Sequence, residues 1–201
     1  MKERTSKAST KHLYLNDESL DEVARVVAGS LLEGGVSIIP TDTMYGIVAL
    51  EDFDDAVQRI YRIKKRPYDK PFIRLIGSIE CLKRYTEQKI PPCLRKYWPG
   101  PLTIVFRGVA GGTIAIRVPD SPFLNRLFKY LDGKGIVAPS ANLSGEENII
   151  DCKALINTFS GLVDIIVCLD EAHLTGKPST IIDISGDRWK IIRKGAIDIT
   201  L

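Results

Sequence analysis

Between residues 19 and 33 the apolar side chains Leu20, Val23, Val26, Val27, Leu31 and Leu32 fall on one helical stripe, which predicts an amphipathic helix. Ser19 and Glu22 have the spacing of a capping box, and Gly34-Gly35 stops the helix. A short β run at 36–39 follows and ends at Pro40. A second helix is predicted over 54–64, with Val57, Ile60 and Tyr61 turned inward. Further β runs fall at 72–76, 102–106, 113–118, 135–138, 165–169, 181–184 and 189–192. Helices are expected between them at 79–85, 122–131 and 152–159.

The connections between these runs decide the fold class. Runs 102–106 and 113–118 are joined through Gly108 to Gly112, and 180–184 and 189–192 through Gly186-Asp187, so both pairs read as antiparallel hairpins. Other runs are separated by helices, so the chain mixes the two kinds of connection, and the hairpins disfavour a purely parallel sheet. The expectation is an α+β domain with a mixed, twisted sheet and helices packed on it. No repeat or low-complexity linker interrupts the chain, so a basic flexible arm is expected over 1–15 and a single domain over 16–201.

Composition narrows the function without naming it. The chain has 201 residues, 44% of them hydrophobic, which excludes disorder, collagen and coiled coil. No stretch approaches the roughly 18 uninterrupted apolar residues that a membrane span needs. With 28 Lys+Arg against 25 Asp+Glu the net charge is +3, too small to define a nucleic-acid surface but compatible with a local basic pocket. The four cysteines, Cys81, Cys93, Cys152 and Cys168, show no C-x-x-C spacing, and His12 and His173 are the only histidines, so a zinc site is not expected. Cys168 lies in an apolar run and reads as a buried reduced thiol. The first residues, MKERTSKASTKH, lack a secretory apolar region, and a cytoplasmic protein is expected.

Several segments carry groups suited to an anion. Pro40-Thr41-Asp42-Thr43-Met44-Tyr45-Gly46 places hydroxyls and backbone N–H groups after a strand, although the same residues also make ordinary turns. Lys64, Lys65, Arg66 and Lys70, stiffened by Pro67 and Pro71, supply cations that fit either a polyphosphate or the end of a helix dipole. Trp98-Pro99-Gly100-Pro101 reads as a structural turn. Within 113–118, Thr113, Ala115 and Arg117 share one face, and an arginine there needs either an anionic ligand or a structural carboxylate. Ala138-Pro139-Ser140-Ala141-Asn142-Leu143-Ser144-Gly145 puts small hydroxyl and amide side chains at the end of a strand. Ser179-Thr180 opens one strand and Arg193 closes another. No P-loop, no G-x-G-x-x-G and no Ser-His-Asp arrangement is present. An electropositive, hydroxyl-rich pocket for a small anion is as far as the residues themselves lead.

Taken in order, PTDTMYG, K-x-R-P from Lys64, YWPGPLT, IRVP around Arg117, PSANLSG, the Ser-Thr pair and IIRKGAI resemble the Sua5/YrdC/YwlC family of threonylcarbamoyl-AMP synthases over roughly residues 20–197. The resemblance implies a three-layer α+β fold with a mixed twisted β-sheet and a large basic concave cavity. It implies formation of threonylcarbamoyl-AMP and pyrophosphate from L-threonine, bicarbonate or CO2 and ATP with Mg²⁺, for the t6A modification of tRNA. By that resemblance Thr43, Arg117, the backbone at Ala138 and Thr180 would hold threonine. Arg66, Lys70, Thr113, Ser140, Asn148 and Arg193 would hold ATP, with Lys64 and Asn142 completing the K-x-R and S-x-N pairs. Lys64 and Arg66 would stabilise charge on the leaving pyrophosphate, with no covalent nucleophile and no metal ligand from a side chain. Tying the product to tRNA implies a downstream threonylcarbamoyl transferase complex, and the lack of an apolar span leaves no membrane partner expected. The chain departs from the family pattern at Glu146-Glu147-Asn148-Ile149, where R-P-S-P-T is frequent, and at Arg74 and Lys194. Those departures keep a second expectation in view, a catalytically drifted YrdC/YciO-like paralogue that binds double-stranded RNA or tRNA.

Overall fold

A computed structural model describes residues 9–169, 174 and 176–199. The elements run β1 (Lys11–Leu15), α1 (Leu20–Leu32), β2 (Ser37–Pro40), β3 (Tyr45–Leu50), α2 (Asp54–Lys64) and β4 (Arg74–Leu75). A 3₁₀ helix (Ile79–Arg84), α3 (Pro92–Arg95), β5 (Leu102–Arg107), β6 (Thr113–Arg117), α4 (Pro122–Tyr130) and β7 (Ile136–Val137) come next. The chain continues through α5 (Cys152–Phe159), β8 (Ile165–Leu169), β9 (Thr180–Asp183) and β10 (Lys190–Arg193). The strands form one mixed sheet in the order β1-β8-β2-β3-β7-β4-β6-β5-β9-β10. Among the described residues no helix is long and apolar enough to cross a membrane.

Alternation along the strands sorts the core into layers. In β2, β3 and β8, Ile39, Val48, Leu50, Ile165 and Val167 pack toward α1 and α4. Their neighbours Ile38, Ile47, Ala49, Ile166 and Cys168 pack toward α2 and α5 on the opposite face. In the other half of the sheet Ile104, Phe106, Ile116 and Ile182 face a third cluster with Leu82, Leu94 and Trp98. The residues between them, Val105, Ala115, Arg117 and Ile181, line a cavity instead. The site is therefore the second face of a half-sheet whose first face is core.

Both expected hairpins form: β5 pairs antiparallel with β6, and β9 with β10. Helices α2 and α5 and strand β8 have the expected limits. Other expectations need correction. Residues 11–15, assigned to the arm, form β1, which runs parallel to β8 from Lys11↔Ile165 to Leu15↔Leu169. Leu15 is buried against α1's cluster, and that burial holds the segment down; residues 1–8 lie outside the described residues. Strand β3 was missed because all six of its residues are buried, so no alternation marks it. Ser19 does not cap α1 through its side chain; its Oγ accepts from the Asn16 N–H at 2.9 Å. The 79–85 segment is a 3₁₀ helix, and the runs at 72–76 and 135–138 shrink to two-residue strands. Cys168 is not a free thiol: it is disulfide-bonded to Cys152 across a Cα–Cα distance of 5.5 Å. The apolar run around it signals burial equally well for a thiol or a disulfide, so composition could not separate them. His173, set aside in the sequence, lies outside the described residues.

Candidate functional site

The cavity has a volume of about 580 Å³ and opens where four segments meet over β4, β6, β5, β9 and β10. The β2–β3 turn contributes Thr41 and Thr43, the segment after α2 contributes Arg66 and Lys70, the loop after β7 contributes Ser140 to Asn148, and β10 contributes Arg193. Lys64, Arg66, Lys70, Arg117 and Arg193 are the cations lining it, and Asp69 is the one carboxylate among the described lining residues.

Arg117 sits at the floor, with its side chain 6% exposed. Its Nε donates to the Gly100 carbonyl at 3.0 Å and its Nη1 to Thr43 Oγ1 at 3.0 Å, while Nη2 meets Asp42 Oδ1 in an ion pair. Two of the five guanidinium N–H groups are thereby hydrogen-bonded and Nη2 is held by charge alone, leaving N–H groups for a ligand. Asp42 is fixed in turn by the Asp120 N–H on its Oδ2 at 3.2 Å. The Trp98–Gly100 turn explains itself here: Trp98 Nε1 donates to Leu102 O at 2.6 Å, the turn's Trp98–Pro99 peptide is cis, and Gly100 offers its carbonyl to Arg117.

Arg193 is held differently. Its Nε and Nη2 donate to Ser179 O at 3.0 and 2.9 Å, and Nη2 also reaches Ser179 Oγ at 3.1 Å. Ser179 Oγ is shared with Thr103 Oγ1 at 2.8 Å. Burial pushes the pKa of both arginines down; Asp42 opposes that shift at Arg117, whereas the nearby Arg117 charge adds to it at Arg193. Two guanidinium groups repelling one another around a cavity are relieved by an anion placed between them. Arg66 lies over the Phe72 ring at 5.5 Å, donates from Nε to Lys70 O at 2.9 Å and from Nη2 to Pro71 O at 3.4 Å, and lines the cavity.

Lys64 is 2% exposed. Its Nζ donates to Ser140 O and Asn142 O at 2.6 Å each and to Asn142 Oδ1 at 3.1 Å. Ser140 Oγ donates to the same Asn142 Oδ1 at 2.6 Å, and Asn142 Nδ2 closes the loop onto Glu146 O at 2.6 Å. The K-x-R and S-x-N residues are thus tied together inside the chain. The Ala138 N–H is bonded to Ile73 O at 2.9 Å, and Ala141 N–H to Tyr45 O at 2.8 Å, docking this loop on the sheet.

Of the residues singled out in the sequence, Thr43, Lys64, Arg66, Lys70 and Arg117 line the cavity, and so do Ala138, Ser140, Asn142, Asn148 and Arg193. Asn148 does so although the surrounding sequence departs from the family pattern. Thr113 and Thr180 are not brought there. Thr113 is exposed opposite Arg107 at the far end of the β5–β6 hairpin, two residues beyond Ala115. Thr180 is 1% exposed, and its Oγ1 donates to Ile197 O at 2.5 Å and accepts from the Gly195 N–H at 3.0 Å. Sequence reasoning named Asp42 and Ser179 within candidate segments but assigned neither as the partner of an arginine. The signal for Asp42 was present, because a strand arginine among apolar neighbours requires a carboxylate when no ligand is bound. Ile192 was also missed: the register slips between Ile191 and Arg193, and this bulge leaves Ile192 59% exposed on the cavity wall.

An open cavity lined by cations and hydroxyls lies on one face of a mixed half-sheet in an α+β protein. Residues 30–195 match the family model of Sua5, YciO and YrdC proteins described as "Telomere recombination", and the chain belongs to that family. It is 32% identical over 187 residues to the threonylcarbamoyl-AMP synthase of Pyrococcus abyssi, covering 87% of this chain and 54% of that protein. It is 31% identical to a putative threonylcarbamoyl-AMP synthase of Methanocaldococcus jannaschii, covering 92% and 91%. The structure of P. abyssi Sua5 complexed with L-threonine superposes with a TM-score of 0.81 at 30% identity, covering 92% of this chain and 57% of that one. The chain therefore spans about half the length of the P. abyssi relative.

Proposed function

We propose that this chain is an L-threonylcarbamoyladenylate synthase, a nucleotidyltransferase that forms threonylcarbamoyl-AMP and pyrophosphate from L-threonine, bicarbonate or CO2 and ATP. The observation that carries the reading is the convergence of Arg117 and Arg193, each anchored from behind, with Arg66 and Lys70 on one cavity. Two anionic substrates need that many cations, and a single carboxylate metabolite does not.

In this reading the remaining N–H groups of Arg117 take the threonine carboxylate beside Thr43, and the Ala138 carbonyl receives the amine. The amine nitrogen bonds to the carbon of CO2 and loses a proton, giving a carbamate. A carbamate oxygen then bonds to the α-phosphorus while the bond to pyrophosphate breaks. Arg66, Lys70 and Arg193 face the phosphates, with Ser140 and Asn148 at the loop side, and act by positioning and charge. Among the described residues no group of three or more His, Cys, Asp or Glu side chains forms a metal cage. Asp69, a carboxylate lining the cavity, is the residue that would meet Mg²⁺ carried on the ATP phosphates. Bound there, the ion would neutralise phosphate charge. The product would pass to a threonylcarbamoyl transferase complex acting on tRNA, and we place the activity in the cytoplasm.

Carbon-labelled bicarbonate tests the reading. With ATP, Mg²⁺ and L-threonine, label should enter an adenylate-containing product. Absence of labelled adenylate together with double-stranded RNA binding that weakens steeply with salt would favour the drifted, RNA-binding paralogue. Arg66→Ala should leave the urea midpoint within error, because that side chain is only partly buried, and should cut turnover by roughly 10²- to 10³-fold. Turnover at the parent rate would remove Arg66 from the nucleotide site.

A further inference from the structure

We propose that Lys64 is a positioning residue that clamps the 140–146 loop into the shape that receives the nucleotide, and does not itself touch the phosphates. This rests on the synthase reading and assigns Lys64 a role different from the electrostatic one implied by family resemblance.

Three observations carry it. The Nζ group is sealed, with all three of its hydrogens directed at oxygens of Ser140 and Asn142. The same residue also grips the loop through its backbone, since Lys64 O accepts the Ser144 N–H at 3.0 Å. The loop's own side-chain bonds, Ser140 to Asn142 and Asn142 to Glu146, close around the same Oδ1 that Lys64 holds. A phosphate could recruit Lys64 only by breaking bonds that shape its own binding loop. Arg66, two residues on and partly exposed, has no such commitment to the loop.

Lys64 works as a clamp only while it is an ammonium, because the neutral amine has two hydrogens for three acceptors. Burial first, then the Arg66 charge, pull its pKa from 10.5 to about 8. The loop offers it oxygen acceptors from Ser140 and Asn142, the loop's titratable side chain, Glu146, is exposed, and on β3 the Tyr45 hydroxyl is engaged by the Leu169 N–H at 3.0 Å. Asp69 and Lys70 are the other charged groups of its segment at the cavity. The unfolded chain holds the lysine proton up to 10.5, so this group adds stability as pH rises from 8 toward 10.5. Loss of the clamp above pH 8 is therefore a loss of nucleotide affinity without a loss of fold, and the two are separable by experiment.

The test compares the full chain with Lys64→Met and Lys64→Arg by pyrophosphate release from pH 6.5 to 9.5 and by hydrogen exchange of the 140–146 amides without substrate. The expected result for Lys64→Met is roughly tenfold faster exchange in the loop and a KM for ATP raised roughly tenfold, with kcat changed far less. The wild-type KM for ATP should rise above pH ~8 and that limb should be missing in Lys64→Met. Lys64→Arg, which keeps the charge but cannot fit three acceptors in a sealed pocket, should resemble Lys64→Met in exchange. Unchanged loop exchange in Lys64→Met, or a kcat loss with KM intact, overturns the clamp and makes Lys64 a direct ligand. If even the wild type releases no pyrophosphate, the synthase reading fails, and the exchange data still decide the clamp.

Discussion

Arg117→Ala should abolish pyrophosphate release and also lower the unfolding free energy by about 3–5 kcal/mol, because it strands Asp42 as an unpaired charge in a buried site. The Asp42 side chain is only 8% exposed with Arg117 in place, so the pair is largely desolvated. Thr43 and the Gly100 carbonyl lose their donor at the same time. A loss of activity in this variant would thus be ambiguous alone, and the double variant Asp42→Asn/Arg117→Ala resolves it. Removing both charges should recover much of the urea midpoint while pyrophosphate release stays roughly 10³-fold down. Wild-type turnover in a folded Arg117→Ala would remove the threonine carboxylate from this position. A stability loss well under 1 kcal/mol would show that Asp42 does not depend on Arg117.

Gly195→Ala should act at the opposite wall. A β-carbon there would collide with the Pro178 carbonyl oxygen and lie 2.6 Å from the Ser179 carbonyl carbon, both backbone atoms that cannot swing aside. Relief requires moving the chain after β10 away from β9. That costs the Ala196 N–H bond to Pro178 O at 2.8 Å and the Gly195 N–H bond to Thr180 Oγ1 at 3.0 Å. Ser179 moves with them, and Ser179 is what aims Arg193. The expected outcome is a loss of roughly 2–4 kcal/mol in urea unfolding and a KM for ATP raised at least tenfold. A variant with unchanged midpoint and KM would mean that the tail does not brace Arg193.

The contrast between these two walls shows what the chain revealed before it was folded. Arg117 was legible because a strand with period-two alternation isolates one charged residue among apolar neighbours, and its need for a counter-charge follows from burial alone. Whether that counter-charge was a ligand or a side chain was not legible, since Asp42 lies 75 residues away in sequence and pairs with it only after β2, β3 and β6 enter one sheet. Arg66 and Lys70 were legible as a cation cluster beyond a helix, and both reach the cavity. Lys64 looked identical to them in the sequence, but lies inside the last turn of α2, which turns it into the protein rather than toward a ligand. Thr180 and Thr113 carried the right hydroxyl at a strand end. Register, which a single sequence does not encode, sent one behind the sheet and left the other at the hairpin's far end. Strands β1 and β3 were hidden for opposite reasons, one inside a polar terminus and the other buried on both faces.

The central claim is that the cavity joins threonine, CO2 and the nucleotide in one reaction, and pyrophosphate release with single-component omissions tests it most directly. The full chain incubated with ATP, Mg²⁺, L-threonine and bicarbonate should release pyrophosphate continuously, and leaving out either L-threonine or bicarbonate should return the rate to background. Release that persists without L-threonine, or no release from the complete mixture with a folded chain, would contradict the account.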